Sequence, residues 1–254
     1  FSSLINSVII LDEIQSYPVK TTYNFNLIFN FLKIVMNVNL VLCTATQPTL
    51  DTGALIHRIS YGDCTGNNQE LVEMSEKQRK IFNRNEYYLL EDGNEIGIES
   101  ITDEILSFPE ESFLVIVNTK KAAKLLFEDI TASNSTSDRT IYYLSTNLCP
   151  KHRQLIIEQI RDDLSVEKPI VCVSTQLIEA GVDVDFSRVI RSYAGIDNII
   201  QAAGRCNREG RRTRGIVYLA NLANSVENVN RLEDIRNKKN RTKEILFPYK
   251  GKSG

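Results

Sequence analysis

Phe113-Leu114-Val115-Ile116-Val117 is an uninterrupted apolar run of strand length. The segment behind it, Thr119–Thr131, sets Ala123, Leu126, Phe127 and Ile130 on one helical face. Ile141-Tyr142-Tyr143-Leu144 is strand-like again. A strand that is apolar at every position is typically covered on both faces, as in a parallel sheet whose crossovers are helices. The same alternation continues outward. Tyr87–Leu90 predicts a strand and Ser100–Phe108 a helix. Pro150–Leu164 predicts a helix opened by proline in its first turn. Ile170–Val173 and Arg188–Ile190 are strands, Ile196–Ala203 a helix and Ile216–Leu219 a strand. Upstream, Val8-Ile9-Ile10-Leu11 and Leu40-Val41-Leu42-Cys43 flank a segment with Ile28, Phe31, Leu32 and Val35 at helical spacing. The whole pattern predicts an open α/β fold.

The 254 residues correspond to between one and two domains at about 150 residues each. The alternation fades from Asp51 to about Gln78, where Gly53, Gly62, Gly66, Asn67 and Asn68 mark turns. This stretch reads as the exit from one domain and a linker. The tail from Asn221 is polar and charged and reads as the start of something further. With 42% hydrophobic and 24% charged residues, the chain is neither disordered, collagen-like nor a coiled coil. The most apolar stretch, Asn26–Cys43, is broken by Asn30, Lys33, Asn37 and Asn39, so no membrane span and no membrane partner is expected. A net charge of −2 leaves any nucleic-acid surface to a local basic patch. Cys43, Cys64, Cys149, Cys172 and Cys206 are odd in number, far apart and without a CxxC pair. They read as reduced thiols of a cytoplasmic protein. The opening Phe1-Ser2-Ser3 runs at once into a strand, which leads us to expect a piece of a longer polypeptide.

Asp12-Glu13 closes the first apolar strand. Ligands in open α/β sheets bind at the carboxyl ends of strands. An Asp there suits Mg²⁺, and a neighbouring Glu can orient or deprotonate water. An acidic turn is the simpler reading of the dipeptide alone. Thr44-Ala45-Thr46 follows the second strand; a plain turn toward Pro48 competes with a role in hydrogen-bonding phosphate or neighbouring loops. Ser174–Asp183 leaves a third strand, with Gly181 permitting close approach and Asp183 able to meet a ribose or a water. Gln201-Ala202-Ala203-Gly204-Arg205-Cys206-Asn207-Arg208 is the sharpest signal. It leads a cluster of Arg205, Arg208, Arg211, Arg212 and Arg214. Arginine binds phosphate through two oxygens at once and stabilises a γ-phosphoryl transition state. A solvated basic helix end is the competing reading, and that or a general attraction for nucleic acid is the better one for Arg211, Arg212 and Arg214. His57 and His152 lie in unrelated segments, which argues against a histidine metal site.

In this order and spacing the segments resemble motifs II, III, V and VI of superfamily 2 helicases. Asp12-Glu13-Ile14-Gln15 resembles the DExH/D box, Thr44-Ala45-Thr46 the Ser/Thr-Ala-Thr motif, and Gln201–Arg208 the QxxGRxxR motif. Thr44–Pro48, Leu144–Arg153, Ser174–Phe186 and Gly204–Arg208 look more narrowly like the CRISPR-associated helicase-nuclease of type I systems. The resemblance implies RecA-like parallel sheets with flanking helices, one domain partial and one complete. Residues 1–75 would be the end of the first domain plus linker, 76–222 the second domain with motifs IV to VI, and 223–254 the start of an accessory region. It implies an ATP- and Mg²⁺-dependent motor translocating on single-stranded DNA in antiviral defence. Its partners would be a guide-RNA surveillance complex and a histidine-aspartate nuclease in cis or in trans.

Residue by residue, the resemblance makes Asp12 the Mg²⁺ ligand and Glu13 the base. Gln15, Gly181 and Asp183 would meet the nucleotide across the domain cleft, and Gln201, Arg205 and Arg208 would reach the γ-phosphate, Arg208 as the finger. Thr44 and Thr46 would couple hydrolysis to DNA, with Thr119, Thr146 and Thr175 toward the DNA backbone. Three departures bear on this. The sequence holds no G-x-x-x-x-G-K-[ST] loop, so these residues are expected to hydrolyse no ATP by themselves. Ala202 stands where the family often has arginine. No nuclease constellation is present. Two rivals stay open: another superfamily 2 motor acting on RNA or duplex DNA, and a non-catalytic module that only grips nucleic acid or a partner.

Overall fold

The computed structural model of the chain describes all residues except 1, 15–16, 18–20, 45–49, 51–56, 60–71, 73, 135–138, 180–181 and 250–254. Two compact units divide it, Phe1–Arg79 and Lys80–Gly254.

In the first unit β1 (Val8–Asp12) and β2 (Asn39–Cys43) pair in parallel, with Val8 opposite Asn39 and Asp12 opposite Cys43. The intervening α1 (Thr22–Met36) ends on Asn37, whose left-handed backbone turns the chain into β2. Asn tolerates that conformation better than most residues. The apolar runs form strands, but the expected cover on both faces is not there among the described residues. Val8 and Ile10 stay 59% and 66% exposed. On α1 Leu32 and Asn26 are buried, while Ile28, Phe31 and Val35 are exposed. An apolar run specifies extended backbone locally, whereas what covers it depends on neighbouring elements.

The second unit holds β3 (Asn85–Leu89), β4 (Glu95–Ile96), β5 (Phe113–Ile116), β6 (Thr140–Leu144), β7 (Ile170–Ser174), β8 (Arg188–Ser192) and β9 (Gly215–Leu222). Their order is β3-β9-β8-β5-β7-β6, every pair parallel, and β4 pairs with the carboxyl end of β9. A short α2 (Glu76–Phe82) precedes β3, and helices α3 (Glu99–Leu106), α4 (Lys120–Ser133), α5 (Pro150–Ser165) and α6 (Ile196–Ala203) supply the layers. β5, β7 and β8 are buried at every residue. Alternation along β5 sends Leu114 and Ile116 into one core with Ile160 of α5 and Ile199 of α6. Phe113 and Val115 enter the other, with Ile101 and Ile105 of α3 and Leu126 of α4. The mostly parallel sheet with helices on both faces is the α/β architecture the periodicity predicts. Each side chain so buried contributes about 1.5–3 kcal/mol.

The polar tail forms a further helix, α7 (Glu233–Leu246). It docks on the sheet unit largely by polar contacts, with Leu246 packed against the core that holds Leu114 and Ile116. The Thr242 hydroxyl donates to the Ala194 carbonyl at 2.5 Å, Lys238 pairs with Asp197 at 2.7 Å, and the buried Lys239 ammonium donates to the Leu222 carbonyl at 3.1 Å. An apolar-periodicity argument has nothing to register in such a helix.

Candidate functional site

In the first unit the register brings three candidates together. Asp12 ends β1 and Cys43 lies opposite, so Glu13 and Thr44 leave neighbouring strand ends. The Glu13 N–H donates to the Cys43 carbonyl at 2.9 Å and to Asp12 Oδ1 at 3.0 Å. Its backbone takes a positive φ of 53°, a conformation in which non-glycine residues are uncommon. This kink turns the Glu13 side chain off the strand line while the buried Ile14 anchors the turn. Both carboxylates are exposed. Asp12 offers the hard oxygen that Mg²⁺ takes, and a cation there would complete its shell with waters and phosphate oxygens. Gln15 and Thr46 lie outside the described residues.

In the second unit the candidates divide between opposite edges of the sheet. Thr119, Thr146 and Thr175 follow β5, β6 and β7 and lie at the carboxyl edge. Thr119 caps α4, its hydroxyl oxygen accepting from the Ala122 N–H at 3.2 Å. That cap leaves the O–H hydrogen available to an outside acceptor. Lys120 ties this loop to the next, its ammonium donating to Asn147 Oδ1 at 2.8 Å. Thr146 is exposed beside it, while Thr175 is buried.

Arg208 lies at the other edge. Its segment runs beside the residues that enter β8: the Phe186 N–H donates to the Arg205 carbonyl at 2.9 Å and the Asn207 N–H to the Phe186 carbonyl at 3.0 Å. Arg205 and Arg208 take different partners. The Arg205 guanidinium donates to the Ile178 and Glu179 carbonyls at 3.2 and 2.7 Å, bracing the loop that leaves β7. The Arg208 guanidinium pairs with Asp183, Nε to Oδ1, at 2.9 Å. Those side chains are 43% and 74% exposed, and a surface pair of this kind contributes about 0–1 kcal/mol. Arg208 can therefore exchange Asp183 for a stronger anion at little cost. Gln201 sits half-buried on α6. Gly181 lies outside the described residues.

Several residues that the sequence reading passed over do much of the holding. Asp185 accepts the Arg208 N–H at 2.7 Å and the Glu209 N–H at 3.2 Å. Arg84 donates to the Arg208 carbonyl at 2.5 Å. Behind them lies a buried polar network. Glu179 pairs with Arg191 at 2.8 Å and accepts from Asn198 at 3.0 Å. Burial raises the Glu179 carboxyl above its ordinary range, and Arg191 and the Asn198 bond oppose that rise. Arg191 donates to Asn118 Oδ1 at 3.0 Å, and the Asn118 N–H donates to Glu227 at 2.6 Å. Lys239 stands 3.7 Å from Glu227. The available signal was Arg191 itself, a charged residue directly after the Arg188–Ile190 run read as a strand, since a charge buried there obliges a partner.

Residues 109–211 match the family model described as CRISPR-associated nuclease/helicase Cas3, C-terminal. The CRISPR-associated nuclease/helicase Cas3 of Haloferax volcanii is 47% identical over 94 residues, covering 36% of this chain and 10% of that protein. The protein of the same name from Methanothermobacter thermautotrophicus is 28% identical over 216 residues, covering 78% of this chain and 23% of its own length. The chain thus spans a quarter or less of these two relatives. In structure, T. fusca Cas3-AMPPNP aligns over 95% of this chain and 33% of its own, with a TM-score of 0.70 at 16% identity, a likeness of fold. The resemblance to CRISPR-associated superfamily 2 helicases drawn from the motifs is borne out.

Proposed function

We propose that these residues are the downstream part of an ATP-dependent single-stranded DNA translocase of a type I CRISPR interference system. The observation that carries this reading is the presentation of Arg208. Its backbone is fixed at the N–H by Asp185 and at the carbonyl by Arg84, while its guanidinium stays exposed on a single weak partner. An arginine with a fixed base and a free head is what a γ-phosphoryl transition state requires. A solvated basic helix end needs no such clamp.

The first unit would contribute Asp12 to Mg²⁺ and Glu13 to the attacking water, at strand ends that the register holds adjacent. Bound Mg²⁺ would neutralise charge on the phosphate oxygens. In the second unit Arg205 braces the backbone at Ile178 and Glu179, ahead of Asp183, so its part is to hold that segment in place as much as to meet phosphate. At the carboxyl edge, Thr119 and Thr146 with Lys120 would take the DNA backbone. With the hydrolytic arginine at one edge and the DNA contacts at the other, Glu179, Arg191 and Asn118 tie the segments after β7 and β5 to the end of β8 on the DNA side. A guide-RNA surveillance complex and a histidine-aspartate nuclease, in cis or in trans, complete the proposed assembly. We expect no hydrolysis from these 254 residues alone, because they hold no phosphate-binding loop.

The test is ATP hydrolysis with and without single-stranded DNA, on this chain and on the chain joined to its native upstream sequence, each with Arg208→Ala. We expect activity in the extended chain alone, stimulation by DNA, and its loss in Arg208→Ala. An extended chain that hydrolyses ATP equally well without Arg208 removes the finger assignment and favours the non-catalytic binding module.

A further inference from the structure

We propose that Asp185, with Arg84, is a positioning residue for Arg208: it sets where the finger's backbone stands and thereby where its guanidinium can reach. This deepens the reading of Arg208 as a finger and rests on it.

Asp185 is the second acidic residue of Val182-Asp183-Val184-Asp185, and the two differ in what they hold. Asp183 touches the Arg208 side chain, an exposed contact that any incoming anion can displace. Asp185 holds the backbone. One carboxylate oxygen accepts the Arg208 N–H at 2.7 Å and the other the Glu209 N–H at 3.2 Å. Two consecutive amides on one carboxylate form a charge-assisted cap, stronger than bonds between neutral groups. Asp185 can do this because Phe186, its neighbour, is fully buried and bridges to Cys206. Strand entry and finger loop are therefore locked in register one residue from Asp185 and two from Arg208.

The opposite side is closed as well. Arg84, just ahead of β3, donates to the Arg208 carbonyl, and the Gly215 N–H donates to the Arg84 carbonyl at 2.8 Å. Between them Asn207, buried with φ 47°, exchanges hydrogen bonds with the backbone of Arg212 at 2.8 and 2.9 Å. The peptide carrying Arg208 is thus gripped at both polar ends by side chains from distant parts of the sequence. Neither grip uses the guanidinium, so binding an anion there leaves the clamp intact. Pre-set geometry of this kind separates an arginine that acts in a transition state from one that merely attracts anions.

Two readouts test the proposal, with Asp185→Ala, Asp185→Asn, Arg84→Ala and Arg208→Ala compared. Amide hydrogen exchange over residues 206–210 of this chain reads the clamp without nucleotide. Steady-state ATP hydrolysis by the chain joined to its native upstream sequence reads the consequence. In Asp185→Ala the Arg208 and Glu209 amides should exchange about tenfold faster or more once their charged acceptor is gone. The kcat should fall by about tenfold to a hundredfold, the scale of a small misplacement, with KM for ATP changed far less. Asp185→Asn, which keeps one neutral acceptor, should recover part of the kcat. If Asp185→Ala does not fold, Arg84→Ala decides by the same readouts, since it loosens the same peptide from its carbonyl side. Unchanged kcat in both clamp variants, while Arg208→Ala abolishes hydrolysis, overturns the positioning role and leaves the finger standing. Unchanged kcat in Arg208→Ala overturns both.

Discussion

Replacing Glu227 with alanine should unfold the second unit at markedly lower denaturant, although Glu227 lies in the polar tail beyond the last strand. Its carboxylate is fully buried. One oxygen accepts the Asn118 N–H at 2.6 Å and the Ser192 hydroxyl at 3.0 Å; the other accepts Asn118 Nδ2 at 2.9 Å and faces Lys239 at 3.7 Å. Removing one partner of a buried charge pair costs about 3–5 kcal/mol, because the other charge stays buried without compensation. With a urea dependence of about 2 kcal/mol per molar, the midpoint should drop by about 2 M. Glu227→Gln keeps the volume and one acceptor and should cost about 1.5–3 kcal/mol, the range for bonds to a charged group. Glu244→Ala on α7 is the internal control. Its bond to Arg241 is exposed, so it should stay within about 0.5 kcal/mol of the parent. The assay is urea unfolding followed by far-UV circular dichroism. A Glu227→Ala midpoint within about 0.5 M of the parent, or no separation from Glu244→Ala, refutes the view that the tail is part of the folded unit.

The Glu227→Gln variant should also show a pH signature. Burial lowers the Lys239 pKa and Glu227 opposes that fall; without the carboxylate the folded state binds the Lys239 proton still more weakly than the unfolded state does. The variant's stability deficit should shrink as pH rises from the lowered folded value toward the ordinary 10.5, where the unfolded lysine loses its proton too. Denaturant titrations at stepped pH check this, and a deficit that widens on raising the pH contradicts it. Gly215→Ala should destabilise the unit by about 1–3 kcal/mol through overpacking. The added Cβ would stand 2.5 Å from Asn85 Oδ1 and 2.7 Å from Cys206 Sγ; an unshifted thermal midpoint would show that the β9 entry can yield. Among the described cysteines, Cys43 and Cys149 are exposed while Cys172 and Cys206 are buried. Burial pushes the Cys172 thiol well up and the Cys206 thiol up to about 12. Thiol titration at pH 8 should label Cys43 and Cys149 in the native chain and reach Cys172 and Cys206 only in denaturant.

The sequence was enough for the α/β architecture, because strand and helix periods are local and β5 and β7 are apolar enough to be buried without knowing their neighbours. It determined the α6 bounds, since Ile196–Ala203 carries its own pattern up to Gly204, and it marked Arg208 through the residues around it. It also pointed to Asp12 with Thr44, which sit at the ends of two runs that pair. The exposure of Val8, Ile10 and the α1 face was not legible, because an apolar run fixes a strand and not its cover. Nor was α7, which docks through Lys238, Lys239 and Thr242 and carries no apolar stripe. The placement of the threonines and Arg208 at opposite edges of one sheet came from the fold, since α6 runs back across the sheet before delivering the arginine. Only the fold could pair Asp185 with the Arg208 backbone, or Arg84 with a carbonyl 124 positions away. Backbone hydrogen bonds to a side chain leave no trace in residue type, because every residue but proline offers the same N–H and every residue the same carbonyl.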